Sequence, residues 1–310
     1  MKISKAKPIS TRLSGILLVF AATLCWSTSG IFIKLIIKRT GLSGVGLAFW
    51  RDLATSLVLL LGILILQPKL LRVKKKDFPW LIGMGAISIG IFHILWNKAV
   101  VMLGVSLATV VQCNAAIFVT IMAWVLFEEA LTSRKIVAIL LAAVGTILVS
   151  GLNSSGGWKI VPIGLLIALG SAITYGSLSL FGKKLSGDYN IWTIMFYVFT
   201  LGTITLFIFQ LGRPDPWPLG SGIMPWFVGF VLISTIVGFA LYTTALNKLP
   251  ASIASITATT EILFASILAY IFLQERLDLG QVAGAVLIIS GVVLVSLVKD
   301  QNTVEETRRV

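Results

Sequence analysis

Residues 117–132 read IFVTIMAWVLFEEALT, and residues 262–278 read ILFASILAYIFLQERLD. Each is an apolar run closing on an acidic residue, Glu129 in the first and Glu275 in the second. Laid over one another at a shift of 146 positions, the two segments extend into a gap-free match of 96–150 on 242–296. It pairs Ala99 with Ala245, Leu103 with Leu249, Phe118 with Phe264, Ala123 with Ala269, Leu131 with Leu277 and Gly145 with Gly291. Upstream, a shift of 149 brings Gly15, Trp26, Phe32 and Lys34 onto Gly164, Tyr175, Phe181 and Lys183. The chain is a tandem repeat, so its fold depends on what one repeat contains.

Composition answers that. The chain has 310 residues, of which 57% are hydrophobic and 12% charged, and its mean hydropathy is +0.99. No water-soluble core absorbs so much apolar sequence. An apolar helix of about 20 residues spans the roughly 30 Å of bilayer hydrocarbon and satisfies its own backbone polar groups. Spans are expected near 13–37, 44–66, 78–98, 105–127 and 135–151, then 161–181, 191–210, 223–246, 251–273 and 279–298. Pro8, Pro68, Pro79, Pro162, Pro214, Pro216, Pro218, Pro225 and Pro250 all fall in the loops or at the ends of these helices. With five spans in each repeat, the second repeat enters the membrane from the opposite side. The expected fold is an all-α polytopic membrane protein of ten transmembrane helices in two inverted five-helix repeats. The repeats run over 1–152 and 153–298, and a disordered cytoplasmic tail covers 299–310.

The net charge of +13 raises nucleic acid as a partner, but the basic residues are distributed as in a membrane topology. With the N-terminus inside, seventeen of the 25 lie in cytoplasmic segments, among them Lys5, Arg12, Lys69, Arg72, Lys74 to Lys76, Lys183, Lys184 and Lys248; seven lie outside and Arg51 lies within a span. That bias favours both termini on the cytoplasmic side, and the expected location of this multi-pass protein is a plasma (bacterial inner) membrane. The bilayer is the expected partner and nucleic acid is not. The Lys74 to Lys76 run reads as an orientation signal, with contact to anionic lipid as the alternative. The first span is too long for a signal peptide and lacks a small-residue cleavage site. Cys25 and Cys113 lie in spans with no CxxC and no neighbouring histidine, so neither a metal nor a cofactor is expected. No HExxH, GxSxG or dinucleotide fingerprint occurs. The segment 176–184, GSLSLFGKK, departs from a phosphate-binding loop in its glycine spacing and in having no Ser or Thr after Lys183. An enzyme is not expected.

The two segments quoted at the outset resemble the paired signature of the EamA branch of the drug/metabolite transporter superfamily, and the similarity covers residues 13–297. The resemblance implies ten helices in two inverted repeats, cytoplasmic termini, and export or exchange of small metabolites, often amino acids or related solutes. In one departure, Glu128 stands before Glu129 where the family's usual residue is small, and Gln274 occupies the equivalent place in the second repeat.

Inverted repeats point to a substrate site near the midplane, at the repeat interface. Glu261 lies 11 residues into its span, roughly 16 Å deep by helical rise. An acid at that depth faces protein or water, and Ala254, Ala258, Glu261, Ala265 and Ala269 form a small-residue stripe at helical intervals. Its counterpart in the first repeat is Ala115, so the acid breaks the internal symmetry, as a proton carrier or a counter-charge for a substrate ammonium would. An interhelical hydrogen bond is the alternative. Arg51 suits a substrate carboxylate, unless it snorkels to the span's outer end; its neighbour Asp52 points about 100° away round the helix. His93 and Asn97, one turn apart, and Gln112 and Asn114 complete the polar set. Trp26 with Tyr175, and Trp96 with Tyr242, are repeat-equivalent aromatic pairs suited to framing a cavity, although membrane belts also account for such residues. Glu129 and Glu275 are expected to meet the N-terminus of the helix immediately after each, beside Thr132, Ser133 and Asp278, with gating as the alternative.

The expected function is secondary transport, as an exporter of an amino acid or related solute by alternating access, with proton coupling through Glu261. Alternatives are a uniporter or exchanger of organic cations or drugs, and a membrane scaffold without transport. The sequence leaves a homodimer open.

Overall fold

The structure, a computed structural model, describes residues 9–103, 108, 111–112, 114–149, 162–212, 214–217, 220, 222–273 and 279–296. Glu275, Asp278, Cys113 and the tail after residue 298 lie outside the described residues.

The first half supplies α1 (Ile9–Ser27), α2 (Ser29–Thr40), α3 (Gly44–Leu66), α4 (Phe78–Ile82), α5 (Phe92–Leu103), α6 (Asn114–Phe127) and α7 (Ser133–Val149). The second supplies α8 (Pro162–Leu185), α9 (Ile191–Gln210), α10 (Met224–Gly229), α11 (Gly238–Leu246), α12 (Ala251–Ala258), α13 (Thr260–Leu273) and α14 (Leu279–Ser296). Two π-helical segments, Gly83–Ile91 and Phe230–Val237, join α4 to α5 and α10 to α11. They occupy matching places under the 146-residue shift. In each, wider turns rotate the next helix relative to the preceding one, a feature common beside functional sites.

Six helical stretches among the described residues are long and apolar enough to cross a membrane: Thr11–Thr40, Gly44–Leu66, Lys75–Leu103, Pro162–Leu185, Ile191–Gln210 and Met224–Leu246. Shorter apolar helices stand at Asn114–Phe127, Ala251–Ala265 and Val282–Val295. The expected span at 251–273 is interrupted at Thr259, whose N–H reaches back to the Ile256 carbonyl. Large apolar side chains crowd the outer faces, with Leu66 at 79% and Val101 at 85% exposure, as a hydrocarbon solvent permits. The protein is a polytopic helical membrane protein.

The halves interleave. α1 packs on α11, and α5 on α8; α3 packs on α9, α6 on α12, and α7 on α14. Exchanging the halves interchanges the α1–α11 and α5–α8 pairs and maps α3–α9 and α7–α14 onto themselves. In the α7–α14 pair a Cβ on Gly145 would stand 2.7 Å from the Gly284 carbonyl oxygen, and one on Gly291 2.9 Å from that of Ala138. Only glycine lets the two backbones approach so closely.

Polar contacts sort the loops onto two ends. At one end Arg12 donates to the Val295 carbonyl (2.8 Å), Lys248 to Ser14 (2.8 Å), and Lys183 to the Leu246 and Leu249 carbonyls (2.8 and 2.7 Å). Tyr189 donates to Asp77 at 2.6 Å. At the other end the Asp215 carboxylate accepts from the Ser43 backbone N–H (3.1 Å) and hydroxyl (2.6 Å), and the Asp215 carbonyl from Trp50 (3.1 Å). The first set joins segments that the charge pattern assigns to one side of the membrane, and the second set joins segments of the other.

Candidate functional site

α3 begins where Ser43 caps it, its hydroxyl oxygen accepting from the Gly46 N–H, and two turns later the helix carries Arg51 and Asp52 into the interior. Asp52 is fully buried and Arg51 is 8% exposed. Arg51 therefore does not snorkel. Its stem folds back along α3 so that Nε and Nη2 meet Asp52 Oδ1 at 2.8 and 2.7 Å. This corrects the expectation from helical geometry, which separates adjacent residues by about 100° at Cβ but does not constrain the end of a four-bond side chain. Nη2 also stands 2.9 Å from His93 Nε2 and 3.4 Å from Nδ1, while His93 Nδ1 lies 3.7 Å from Asp52 Oδ2. The Phe230 ring of the second π segment lies under the guanidinium, 5.3 Å from ring centre to Cζ. A buried pair of this kind gains little stability over an apolar replacement.

Glu261 sits in the first turn of α13, one residue past the helix start and two past the break at Thr259. It is half-buried, and its Oε2 accepts from the Tyr175 hydroxyl of α8 at 3.1 Å. Thr260 beside it meets Thr23 of α1 at 3.1 Å. The Tyr175 ring packs on Phe92 at 5.2 Å, and Phe92 packs on His93 at 5.2 Å. A continuous path of side chains from both halves thus runs from Glu261 through Tyr175, Phe92 and His93 to Arg51. Of the small-residue stripe, Ala254 and Ala258 are buried whereas Ala265 is exposed.

The aromatic pairs cross over. Trp26 meets Tyr242 at 4.9 Å, and Tyr242 shares a 2.7 Å hydrogen bond with Ser179. On the other side Trp96 and Tyr175 are joined through Phe92, at 6.3 and 5.2 Å. The repeat mate of Phe92 is Gly238, where a Cβ would come within 2.7 Å of Trp26. One side of the internal symmetry is therefore filled by a ring, and the other by Trp26 lying against a glycine.

Two polar atoms here, Trp26 Nε1 and Asp52 Oδ2, are buried with no hydrogen-bond partner among the described residues, and Gln112 Oε1, which makes no described contact with this path, is another. Buried unpaired polar atoms are uncommon in folded proteins. Asn97 donates to the His93 carbonyl at 2.7 Å and Asn114 to the Val111 carbonyl at 2.7 Å, both within their own stretch of chain, and Asn114 is exposed. Of the sequence-derived residues, Arg51, His93, Trp96, Tyr175 and Glu261 belong to the connected path. Trp26 and Tyr242 stand as a pair beside it, and Asn114 stands apart. Asp52, Phe92 and Phe230 are the residues that sequence reasoning did not place in the site. The acid next to Arg51 was the available signal for Asp52, whereas nothing local distinguishes Phe92 or Phe230 from lipid-facing rings.

Glu129 lies elsewhere and ties the halves together. Its carboxylate accepts from the Ala251 N–H at 2.7 Å, the Ser252 N–H at 3.4 Å and the Ser252 hydroxyl, and pairs with Lys135 Nζ at 3.3 Å. The helix it caps is therefore α12 of the other half, not α7, which Thr132 caps by accepting from the Lys135 N–H at 3.3 Å.

Comparison with known proteins agrees with this architecture. The chain is 28% identical over 227 residues to an uncharacterized transporter of Archaeoglobus fulgidus, covering 72% of this chain and 79% of that one. An uncharacterized transporter of Clostridium kluyveri is 25% identical over 252 residues, with 77% and 81% covered. Among solved structures, one crystal structure superposes with a TM-score of 0.77 at 18% identity, covering 92% of this chain and 97% of the other; at that identity the likeness is one of fold. The EamA-like transporter family model matches twice, over residues 13–151 and 162–297. With nearly its whole length matched in two successive copies, the chain belongs to the EamA-like transporter family.

Proposed function

We propose that this membrane transporter is a secondary carrier, an exporter of an amino acid or closely related solute, working by alternating access. The observation that carries the reading is the chain of contacting side chains from Glu261 to Arg51, which sets a carboxylate and a guanidinium at the two ends of one aromatic-rich series built from both halves. Glu261 receives the substrate ammonium or a coupling proton, Arg51 receives the carboxylate, and Tyr175, Trp96, Trp26 and Tyr242 face the apolar part. His93, Asn97, Gln112 and Asn114 complete the proposed polar set, with Asn114 the outlying member. The start of a helix immediately after a break is a recurrent setting for ligands in transporters of this kind.

The reading includes ten transmembrane helices in two inverted repeats over 1–152 and 153–298, with both termini cytoplasmic in a plasma membrane. In favour of it are the repeat in sequence, the two successive family matches, the matching π segments, and the α1–α11, α5–α8, α3–α9 and α7–α14 pairings, which exchange of the halves preserves. The test is uptake by proteoliposomes of a panel of amino acids and related metabolites, with and without an imposed pH gradient. Saturable flux of an amino acid, lost in Glu261→Gln with folding intact, supports the assignment. Absence of flux for every solute overturns it. A second reading, exchange of an organic cation, draws on the pairing of the acid with the Tyr175 and Phe92 rings. Counterflow of a quaternary ammonium solute, with no amino-acid flux, would favour it.

A further inference from the structure

We propose that His93 is a proton-binding site of this carrier, and that its protonation turns a neutral buried cluster into a cationic one that takes up the substrate's anionic group. The inference rests on the proposed function, in which Arg51 engages a carboxylate.

Arginine carries donors only and keeps its charge in proteins. Arg51 Nη2 stands 2.9 Å from His93 Nε2 and 3.4 Å from Nδ1, and the shorter contact assigns the accepting lone pair to Nε2. A neutral His93 then carries its hydrogen on Nδ1, the nitrogen standing 3.7 Å from Asp52 Oδ2. That oxygen has no hydrogen-bond partner among the described residues, since both Arg51 contacts go to Oδ1. The cluster as it stands contains one cation, one anion and a neutral imidazole.

A proton binds at Nε2, the one lone pair of the neutral ring, which Arg51 already engages, and so competes directly with Arg51. Two donors bearing like charges cannot remain 2.9 Å apart, so the imidazolium turns toward Asp52. Its Nδ1–H needs to move by about 0.8–1.0 Å to reach the 2.7–2.9 Å of a charge-assisted hydrogen bond. Asp52 is then shared between two cations, and the cluster carries one net positive charge in a setting where an unpaired charge is costly. A carboxylate or similar anion meeting the displaced guanidinium restores neutrality, which links one proton to one anion.

The groups packed round His93 leave this competition to Arg51 and Asp52. Among the described residues, the first π segment and the second contain no ionisable side chain, and α9 offers Tyr197, which donates to the Leu71 carbonyl at 2.7 Å. On α8, Lys183 is tied to the Leu246 and Leu249 carbonyls, Lys184 lies over Trp80, and Tyr175 stands across Phe92. On α5 itself Lys98 is exposed.

His93 is the only histidine in the chain, so one labelled imidazole reports the site. The experiment is nitrogen-15 magnetic resonance of histidine-labelled protein in lipid nanodiscs, prepared without a polyhistidine tag and titrated with acid. The expected result is an Nδ1-protonated tautomer at alkaline pH that becomes doubly protonated on acidification, with Asp52→Asn requiring more acid. An Nε2-protonated tautomer, or a ring still neutral at about pH 5, overturns the proposal. Both readings come from the wild-type protein, so the outcome does not depend on the variant folding. In proteoliposomes, His93→Gln binds no proton and is expected to lose the acceleration of flux by a pH gradient, measured relative to its own flux without a gradient; a relative acceleration equal to that of the unaltered protein also overturns the proposal. The expected titration without solute flux would defeat the transport assignment alone, whereas flux with a persistently neutral ring would defeat only the role given to His93.

Discussion

Replacing Glu129 by alanine is expected to destabilise the protein by about 3–5 kcal/mol, the usual cost of removing one member of a buried ion pair. Lys135 is 4% exposed, so without Glu129 its ammonium is left buried and unpaired. The same substitution takes away the acceptor for the Ala251 and Ser252 N–H groups at the start of α12, a cap contributing about 1 kcal/mol within that total. Lys135→Met should cost less, because Glu129 keeps its two backbone donors and the Ser252 hydroxyl. The double variant should recover about 2–3 kcal/mol of the Glu129→Ala loss, since no charge is then stranded. The assay is equilibrium unfolding in mixed micelles of dodecylmaltoside and dodecyl sulfate, monitored by the fluorescence of the nine tryptophans. A loss below about 1 kcal/mol, the range of exposed pairs, or a double variant no more stable than Glu129→Ala, would refute the reasoning.

Three further outcomes are expected. Gly291→Leu should destabilise by about 1–3 kcal/mol by wedging α7 from α14, while Gly30→Ala, with nothing within 4 Å of the added carbon, should cause no loss of stability in the same unfolding assay and a gain of up to about 1 kcal/mol from helix propensity. Tyr175→Phe removes the hydroxyl that holds Glu261, and should raise the half-saturation concentration of the transported amino acid by up to about tenfold, as loss of one hydrogen bond implies; an unchanged value would detach Glu261 from binding. Single cysteines at Lys76 and Asp188 should be labelled by an impermeant reagent from one and the same side of the membrane, because the Tyr189–Asp77 bond joins their loops; labelling from opposite sides would contradict the arrangement.

Several features of this molecule are readable from the chain itself. Apolar runs of bilayer length, prolines confined to loops and helix ends, and a lysine and arginine bias are local or additive properties, so they survive without coordinates. The same holds for the tandem repeat, which is a comparison of the chain with itself. The depth of Glu261 along its span could be counted, but its neighbour Tyr175 lies 86 positions away and is brought there by the packing of α8. The aromatic pairs were recognisable as repeat mates, but which ring meets which depends on the crossing of the halves.

What the sequence by itself determined was the solvent the protein lives in, the number of repeats and the residues too polar to face lipid. Tertiary structure alone decided the partners of those polar residues. Arg51 reached back to Asp52 because a long side chain is positioned by the pocket that closes over it, not by its helical phase. Glu129 capped a helix of the other half because a free helix N-terminus accepts whatever carboxylate the packing delivers, whatever its distance along the chain. Apolar periodicity is set by contact with one uniform medium and is written residue by residue. Polar pairing is set by two side chains at once, and appears only when both are in place.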